Sequence, residues 1–352
     1  MTGTDETGRE SSHAQHSYRS AGLQLLAVAV LLTALGAAVA GIVPQSRQHL
    51  RHAADGWIAI EVVLELVACA SYGLLFHGVF SDGVYRFGYL RGIQIGVGEL
   101  GAFVVTPTGA GGPALRIWAL LRLGMPFRVV MTRSVIHGAI LNIPYVLAAA
   151  LLGLSVTVGV GSGHAHLALA IAPLGLVVAA LALAGGAVFL SRRERREPQS
   201  RWRRIGRDIL NAVPEGIREL PRRLREVRLW LFAIGYWAGD CGVFVAAFRA
   251  GHGSAPIAVV VLAYMLGQLG NTLPLPGGVG AVEPAMLGLL TSSGVNLGVG
   301  AAAIVLYRFV SLGLQSVLGA AAVATLIPSL QRRPEPTDDS SASNMTPALE
   351  SQ

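Results

Sequence analysis

The chain has 352 residues, of which 53% are hydrophobic and only 13% are charged. An ordinary soluble domain carries about 25% charged residues, so this composition excludes a soluble enzyme. The formal net charge of +7 would suggest a polyanion such as nucleic acid as the partner of a soluble protein, but the position of the charge decides against that interpretation.

Six apolar runs predict an all-α polytopic membrane protein. Each is long enough to cross a hydrocarbon core about 30 Å thick. The runs occupy residues 21–43, 57–80, 129–154, 167–190, 229–250 and 297–327. We therefore expect a single transmembrane domain over residues 21–327, flanked by polar, disordered segments at 1–20 and 328–352.

Arginine sets the predicted topology. Residues 191–228, the basic loop, hold 13 of the 27 Arg together with six acids, and so account for the whole net charge. Arg-rich loops stay cytoplasmic, which places both termini in the cytoplasm of a cell-membrane protein. With Trp202 and Trp230, the loop predicts an amphipathic helix on anionic lipid, which favours lipid over nucleic acid as its partner. The absence of Lys indicates a GC-rich bacterial genome.

In this topology the apolar stretch between Arg91 and Arg128 begins and ends on the cytoplasmic side. It is interrupted by TPTGAGGP at 106–113, which contains Pro107, Gly111 and Gly112. Proline removes a backbone donor and glycine weakens a helix. We therefore predict two half-helices that meet at an unwound tip, a re-entrant hairpin.

A second stretch, 256–294, must begin and end on the outer side. Its break is TLPLPGGVG at 272–280, which contains Pro274, Pro276, Gly277, Gly278 and Gly280. The same argument predicts a second re-entrant hairpin with the opposite orientation.

Residues 57–154 and 229–327 thus share one pattern of span, broken hairpin and span. We predict an inverted repeat with about six full spans and two re-entrant hairpins, the architecture of secondary transporters, whose site lies where the two breaks meet. The alternative is that Gly and Pro only kink continuous spans, which would give about eight to ten helices.

At the two breaks the sequence resembles the lysylphosphatidylglycerol synthase transmembrane family, also called the flippase-like domain family. TPTGAGGPALRIWALLRLG (106–124) is similar to its first signature. LPLPGGVGAVEPAML (273–287), followed by LYRFVSLGLQSVLG (306–319), is similar to its second. The resemblance extends from about residue 20 to 327. Two features depart from it: Pro113 and Ala114 replace an acidic residue of some relatives, and His137 stands where an ionic residue is common.

The resemblance implies a function in lipid handling. In the name-giving members this domain moves an aminoacylated phospholipid across the bilayer, and a separate soluble domain attaches the amino acid. Only 25 residues follow Ile327, so we expect a stand-alone membrane domain without that synthase. The implied function is flippase-like translocation of a phospholipid or lipid-linked intermediate. The alternative is a membrane-embedded enzyme or accessory subunit in lipid headgroup modification.

Arginines inside the spans are candidates to bind the lipid headgroup. Arg308 lies about 17 Å into its span, Arg116 follows the first break, and Arg133 sits one turn into the next span. Arginine binds phosphate bidentately and keeps its proton, so we predict that Arg116 and Arg308 flank a headgroup path. The alternative is that Arg308 is permanently paired with Glu283 or Asp240.

Acids and an amide complete the candidate set. Glu61 and Glu65 share a helix face because they are four residues apart. Glu283 begins the half-helix after the second break, where it could bind a headgroup amine, carry a coupling proton or simply cap the helix. Asp240 is a further intramembrane acid, and Asn271 adds an amide at the second break. The glycines of both breaks leave N–H groups for an anion.

No spacing in the sequence predicts a nucleophile beside a base, a nucleotide loop or a metal site. We therefore expect no catalytic residue, no metal and no cofactor, which favours a transporter and leaves enzyme activity open. The expected partners are membrane lipids, as an anionic phospholipid or a prenyl-phosphate-linked lipid, together with a separate lipid-modifying enzyme and no nucleic acid.

Overall fold

A computed structural model describes residues 55–106, 109–157, 186, 201–272 and 278–331, and all regular structure in these ranges is helical. In chain order the elements are α1 (Asp55–Phe80), α2 (Tyr89–Val105), α3 (Gly111–Arg122), α4 (Phe127–Thr157), α5 (Arg201–Arg223), α6 (Val227–Ala250), α7 (Ile257–Gln268), a 3-10 turn (Leu269–Thr272), α8 (Val282–Ser292) and α9 (Leu297–Gln331). The predicted span 21–43, nearly all of 167–190, residues 1–20 and residues 332–352 lie outside the described segments.

Four helices are long and apolar enough to cross a membrane, namely α1, α4, α6 and α9. They coincide with four of the predicted runs, and this confirms a multi-pass helical protein. Helix α9 continues through Pro328 to Gln331, so the first four residues of the predicted tail are helical, because a proline removes only one helical hydrogen bond at its own position.

The side chains of α1 show the pattern expected of a helix whose polar face is inward. Glu61 and Glu65 are fully buried, whereas Val63 is 58% exposed. An apolar outer face beside buried acids suits a lipid surround rather than water. The predicted shared face of Glu61 and Glu65 is therefore confirmed.

At the first break, α2 and α3 lie side by side. Gly109 has a φ of +65°, a conformation that glycine adopts without steric cost. The Gly111 N–H donates to Thr106 Oγ1 at 2.9 Å. A Cβ on Gly112 would lie only 3.0 Å from the Glu99 carbonyl oxygen, so the absence of a side chain lets the two helices touch.

The described residues of the second break show the same features. Gly278 has a φ of +68°, and α8 runs back along α7. A Cβ on Gly270 would lie 2.7 Å from the Val282 nitrogen. Both glycine-rich segments predicted to interrupt a helix therefore do so, although Pro107, Pro274, Pro276 and Gly277 lie outside the described residues.

The two returning helices also end alike. Gly124 after α3 has a φ of +82°, and Gly294 after α8 has a φ of +85°. The N–H of the residue that follows each glycine donates to the carbonyl five positions back, Met125 to Leu120 and Val295 to Leu290, both at 3.0 Å. These are the hydrogen bonds of a left-handed glycine cap.

Helices of the first segment pack antiparallel on those of the second. On α1, Gly78 lies against Leu229 at the start of α6, whereas Leu64 lies against Gly242 further along it. Helix α2 also packs antiparallel on α9. A Cβ on Gly101 would lie 2.7 Å from the Gly319 Cα. Small residues at these crossings allow the backbones to approach, as is usual between membrane helices.

The basic loop contains the predicted amphipathic helix, α5. It packs on α4, where Gly216 lies against Val135. Glu215 accepts hydrogen bonds from Arg128, with Nε at 3.1 Å from Oε2, and from the Thr132 hydroxyl at 3.1 Å. The loop is thereby attached to the start of a spanning helix.

Candidate functional site

An ion pair joins the two helices of the first hairpin. Arg116 on α3 donates through Nε to Glu99 Oε2 on α2 at 3.0 Å, and its Nη2 contacts the other carboxylate oxygen. The side chains are 13% and 6% exposed. Arg116 also lies over the Phe80 ring at 5.8 Å. The pair forms because the contact at Gly112 brings α2 and α3 together one turn earlier.

A second ion pair follows the second break. Arg308 Nε on α9 lies 2.8 Å from Glu283 Oε1 on α8, and the Arg308 side chain is 2% exposed. Glu283 Oε2 accepts the Gly280 N–H at 2.6 Å. One carboxylate thus caps the start of α8 and pairs with an arginine of the next span, so the capping weighed for Glu283 occurs together with the pairing weighed for Arg308.

Asp240 on α6 is the centre of a buried network. Its carboxylate accepts from the Tyr264 hydroxyl at 2.6 Å, the Tyr307 hydroxyl at 3.0 Å, the Ser311 hydroxyl at 3.2 Å and Gln268 Nε2 at 3.3 Å. Burial of a carboxylate requires such donors. The network therefore gathers side chains from α6, α7 and α9 around one acid.

The network reaches the second break. Asn271 Nδ2 donates to Gln268 Oε1, and Gln268 Nε2 also lies 2.9 Å from the Tyr307 hydroxyl. The second amide atom of Asn271, Oδ1, is buried and has no hydrogen-bond partner in the described part of the chain. A Cβ on Gly278 would overlap that oxygen. Asn271 thus lies directly against the glycine that reverses the chain.

Arg133 has a different role in the structure. Its Nη1 donates to the Phe80 carbonyl at 2.6 Å, Nη2 contacts the Asp82 carboxylate, and the guanidinium lies over Tyr85 at 5.3 Å. It joins α4 to the turn that follows α1. Partial burial favours the neutral form of Asp82, but the N–H groups of Tyr85 and Val84 and the Arg133 charge outweigh it and lower the pKa of this carboxyl.

The predicted residues therefore fall into three groups. Asp240 and Asn271 belong to one network, and Arg308 lies close enough to interact electrostatically with Asp240 while pairing with Glu283. Arg116 pairs within the first hairpin, and Arg133 lies at the turn after α1.

Five polar residues of the network were not predicted from the sequence. They are Tyr264, Gln268, Tyr307, Ser311 and Gln315. A usable signal was present, because residues 307, 311 and 315 recur every four positions and so lie on one face of α9. Polar side chains repeated in this way within an apolar span indicate a buried polar contact.

The described residues contain no group of three His, Cys, Asp or Glu side chains that could hold a metal ion. The chemical change that this arrangement allows is an exchange of the anion paired with each arginine. Each arginine holds a carboxylate that an incoming phosphate could replace, since both groups accept the same forked hydrogen bonds.

Comparison with known proteins gives one family. The family model described as lysylphosphatidylglycerol synthase TM region matches residues 19–319. No curated protein matches the chain. The matched range includes both breaks, both ion pairs and the Asp240 network.

Proposed function

The chain belongs to the lysylphosphatidylglycerol synthase TM region family, and from this premise we propose that it translocates a lipid headgroup across the cell membrane. Membership of this family indicates a lipid-related function. Together with the four apolar helices, it identifies the chain as a multi-pass membrane protein. The proposed substrate is an anionic phospholipid or a prenyl-phosphate-linked lipid, since the path contains arginine and both lipids carry phosphate.

The proposed architecture is an inverted repeat with two re-entrant hairpins. Three observations support it: both halves follow the order long, short, short, long helix, both returning helices end in the same glycine cap, and α1 packs antiparallel on α6. Two copies of one unit that meet with their first helices antiparallel have opposite orientations. In transporters built this way the substrate site lies between the paired breaks.

The observation that carries the proposal is the pair of buried arginine–carboxylate contacts beside the breaks. An arginine inside a membrane must keep a partner. We infer that the phosphate of a passing lipid replaces the carboxylate at one of these arginines, either Glu99 at Arg116 or Glu283 at Arg308. The guanidinium is then paired with an anion both before and after the exchange. The released carboxylate is then available to a cationic group of the same headgroup.

The basic loop gives the proposed orientation. Its arginines place α5 on the cytoplasmic face, where anionic lipid attracts them. Attachment of α5 to α4 through Glu215 and Arg128 would hold this surface close to the first hairpin and supply anionic lipid to it.

Reconstitution tests the proposal. Full-length protein in liposomes would be supplied with fluorescent phospholipids and prenyl phosphates in the inner leaflet, and a membrane-impermeant quencher would measure their appearance outside. We expect Arg116→Gln and Arg308→Gln to slow translocation at least about tenfold, the effect of about 1.4 kcal/mol. Arg122→Gln is the matched control, because Arg122 ends α3 with an exposed side chain over Trp118.

Two results would overturn this function. One is that no lipid class moves faster than in protein-free liposomes. The other is that mass spectrometry of the recovered lipid shows a chemically altered headgroup, which would favour the membrane-embedded enzyme instead.

A further inference from the structure

Two buried carboxylates, Glu65 on α1 and Asp240 on α6, belong to one hydrogen-bonded chain. Glu65 Oε1 accepts from Gln315 Nε2 at 2.9 Å, and the same nitrogen lies 3.3 Å from Ser311 Oγ. Ser311 in turn donates to Asp240 Oδ1 at 3.2 Å. All four side chains are less than 9% exposed. The chain crosses from α1 through α9 to α6 and so connects the two halves.

Each of the two acids accepts a hydrogen bond from a donor of this chain. Gln315 donates toward Glu65 and Ser311, and Ser311 and Tyr307 donate toward Asp240. The Asp240 carboxylate, with four donors, suits the ionised form, which only accepts hydrogen bonds. A change of charge on either acid therefore alters the hydrogen bonds along the whole chain.

Glu65 differs from Asp240 in one respect. The Glu65 side chain is fully buried, and its Oε2 has no hydrogen-bond partner within the described ranges. No arginine of these ranges forms an ion pair with it. A second carboxylate charge beside the buried Asp240 is costly. A proton on Oε2 removes that charge and leaves the Gln315 contact intact.

Other titratable or charged side chains lie around these two acids. They come from α1, α2, α3, α4, α6, α7 and α9, the helices packed around the network. They are Glu61, Cys69, Tyr72, Glu99, Arg116, His137, Tyr236, Cys241, Tyr264, Tyr307 and Arg308. Glu61 is one turn from Glu65, and neither of its carboxylate oxygens has a partner in the described segments.

We propose that Glu65 is an exchangeable proton-binding site and that its protonation, passed through Gln315, Ser311 and Asp240, sets the hydrogen bonding of Gln268 and Asn271 at the second break. No bond other than O–H forms or breaks: the carboxylate gains a proton from water and returns it to water. The proposal deepens the translocation function, because a proton bound here would couple the position of the second hairpin to the proton gradient.

Infrared difference spectroscopy of the full chain in nanodiscs tests the binding step. The C=O stretch of a protonated carboxyl should appear as the buffer is taken from alkaline to neutral pH. Because the Glu61 carboxylate is also buried without a partner in the described segments, Glu65 is tested in the Glu61→Gln background. In that background the pH-dependent band should still appear, and the addition of Glu65→Gln should remove it. Persistence of the band in the variant that carries both Glu61→Gln and Glu65→Gln would overturn the proposal.

Hydrogen exchange tests the link to the break. Protection of the peptide covering 278–283 should differ between Glu65→Gln and the unmodified protein, whereas the peptide at the first break, 109–112, should not change. Ser311→Ala keeps both carboxyls but removes the connection, so the band should remain while the response of 278–283 to pH disappears. An unchanged pH response in Ser311→Ala would contradict the proposed path.

Transport separates this inference from the function on which it rests. A pH gradient across the liposome should change the initial rate of the unmodified protein by at most about tenfold per pH unit for one coupled proton, and Glu65→Gln should abolish that dependence. If the translocation rate of the unmodified protein does not depend on the pH gradient, the proposed proton coupling is wrong. If no lipid moves at all, the proposed function fails, and the infrared and exchange results still decide whether Glu65 binds the proton.

Discussion

In the residues that the structure describes, the two hairpins share a positive-φ glycine at the break and the same cap after the returning helix, but their charged side chains lie at different positions. Five residues after Gly109 the first hairpin has Ala114, and five residues after Gly278 the second has Glu283. The first hairpin instead carries Arg116, and its partner Glu99 belongs to the same hairpin. The partner of Glu283 is Arg308, on the following span. The first pair closes a hairpin on itself, whereas the second ties a hairpin to its neighbour.

The following spans explain this difference. His137 is the eleventh residue of α4, and Arg308 is the twelfth residue of α9. His137 is buried among aromatic rings, with Tyr72 at 5.4 Å and Phe80 at 5.8 Å between centroids. Helix α4 therefore has no arginine at the position that Arg308 occupies in α9, and the charge pair beside the first break joins α2 and α3 instead.

Removal of Arg308 should have the largest effect on stability. Arg308→Gln leaves the buried Glu283 carboxylate without its arginine, and we expect a loss of about 3 kcal/mol. Thermal unfolding can be followed with a thiol-reactive dye, because both cysteines of the chain, Cys69 and Cys241, are buried in the folded protein. Glu283→Gln combined with Arg308→Gln should recover most of the loss. A double variant as unstable as Arg308→Gln would show that the pair does not act as a unit.

The contact between α2 and α9 should be the next most sensitive. Because Gly101 meets the Gly319 backbone, Gly101→Ala must separate the two helices, and we expect a loss of about 2 kcal/mol in the same unfolding measurement. This contact attaches the first hairpin to the second half by packing rather than by charge. Gly138→Ala is the control, since nothing lies within 4 Å of a Cβ there, and it should be neutral or slightly stabilising.

Exchange of the charges should distinguish the two pairs. Glu99→Arg with Arg116→Glu keeps a pair inside one hairpin, so we expect it to restore most of the roughly 2 kcal/mol lost in Arg116→Gln. Glu283→Arg with Arg308→Glu should restore much less, because the Gly280 N–H loses its acceptor at the start of α8. Equal recovery in both exchanges, measured by dye-monitored unfolding, would mean that the cap at Gly280 contributes little.

The sequence predicted the spans and breaks because their signals are local. Apolar length identifies α1, α4, α6 and α9, and glycine and proline identify both breaks. It could not choose between Glu283 and Asp240 as the partner of Arg308, because the choice depends on how α8 and α6 pack around α9. The Tyr307, Ser311 and Gln315 face was visible as a four-residue period, but only the fold shows that Asp240 and Glu65 lie opposite it.

Acid should remove the stabilisation that the Glu215–Arg128 ion pair gives to the attachment of the basic loop. We expect this loss of stability to be smaller than the losses caused by mutation of the two buried pairs. The hydrogen bond and charge of Arg128, with help from Thr132, outweigh partial burial and lower the pKa of Glu215. A lowered folded-state pKa means that the stabilisation is complete above the ordinary glutamate range and is lost as the pH falls through the folded-state value. The pair is on the surface, with Arg128 60% exposed, so its contribution should stay below about 1 kcal/mol.

Hydrogen exchange of α5, corrected for intrinsic rates, measures this attachment. Protection should fall as the pH drops below the glutamate range, and Glu215→Gln should show the reduced protection already at neutral pH, with little further change in acid. Glu219→Gln, one turn along the same helix and exposed, should behave like the unmodified protein. If Glu215→Gln keeps full protection at neutral pH, α5 is held by its packing at Gly216 and Val135, and the charged contact is incidental to the position of the basic loop.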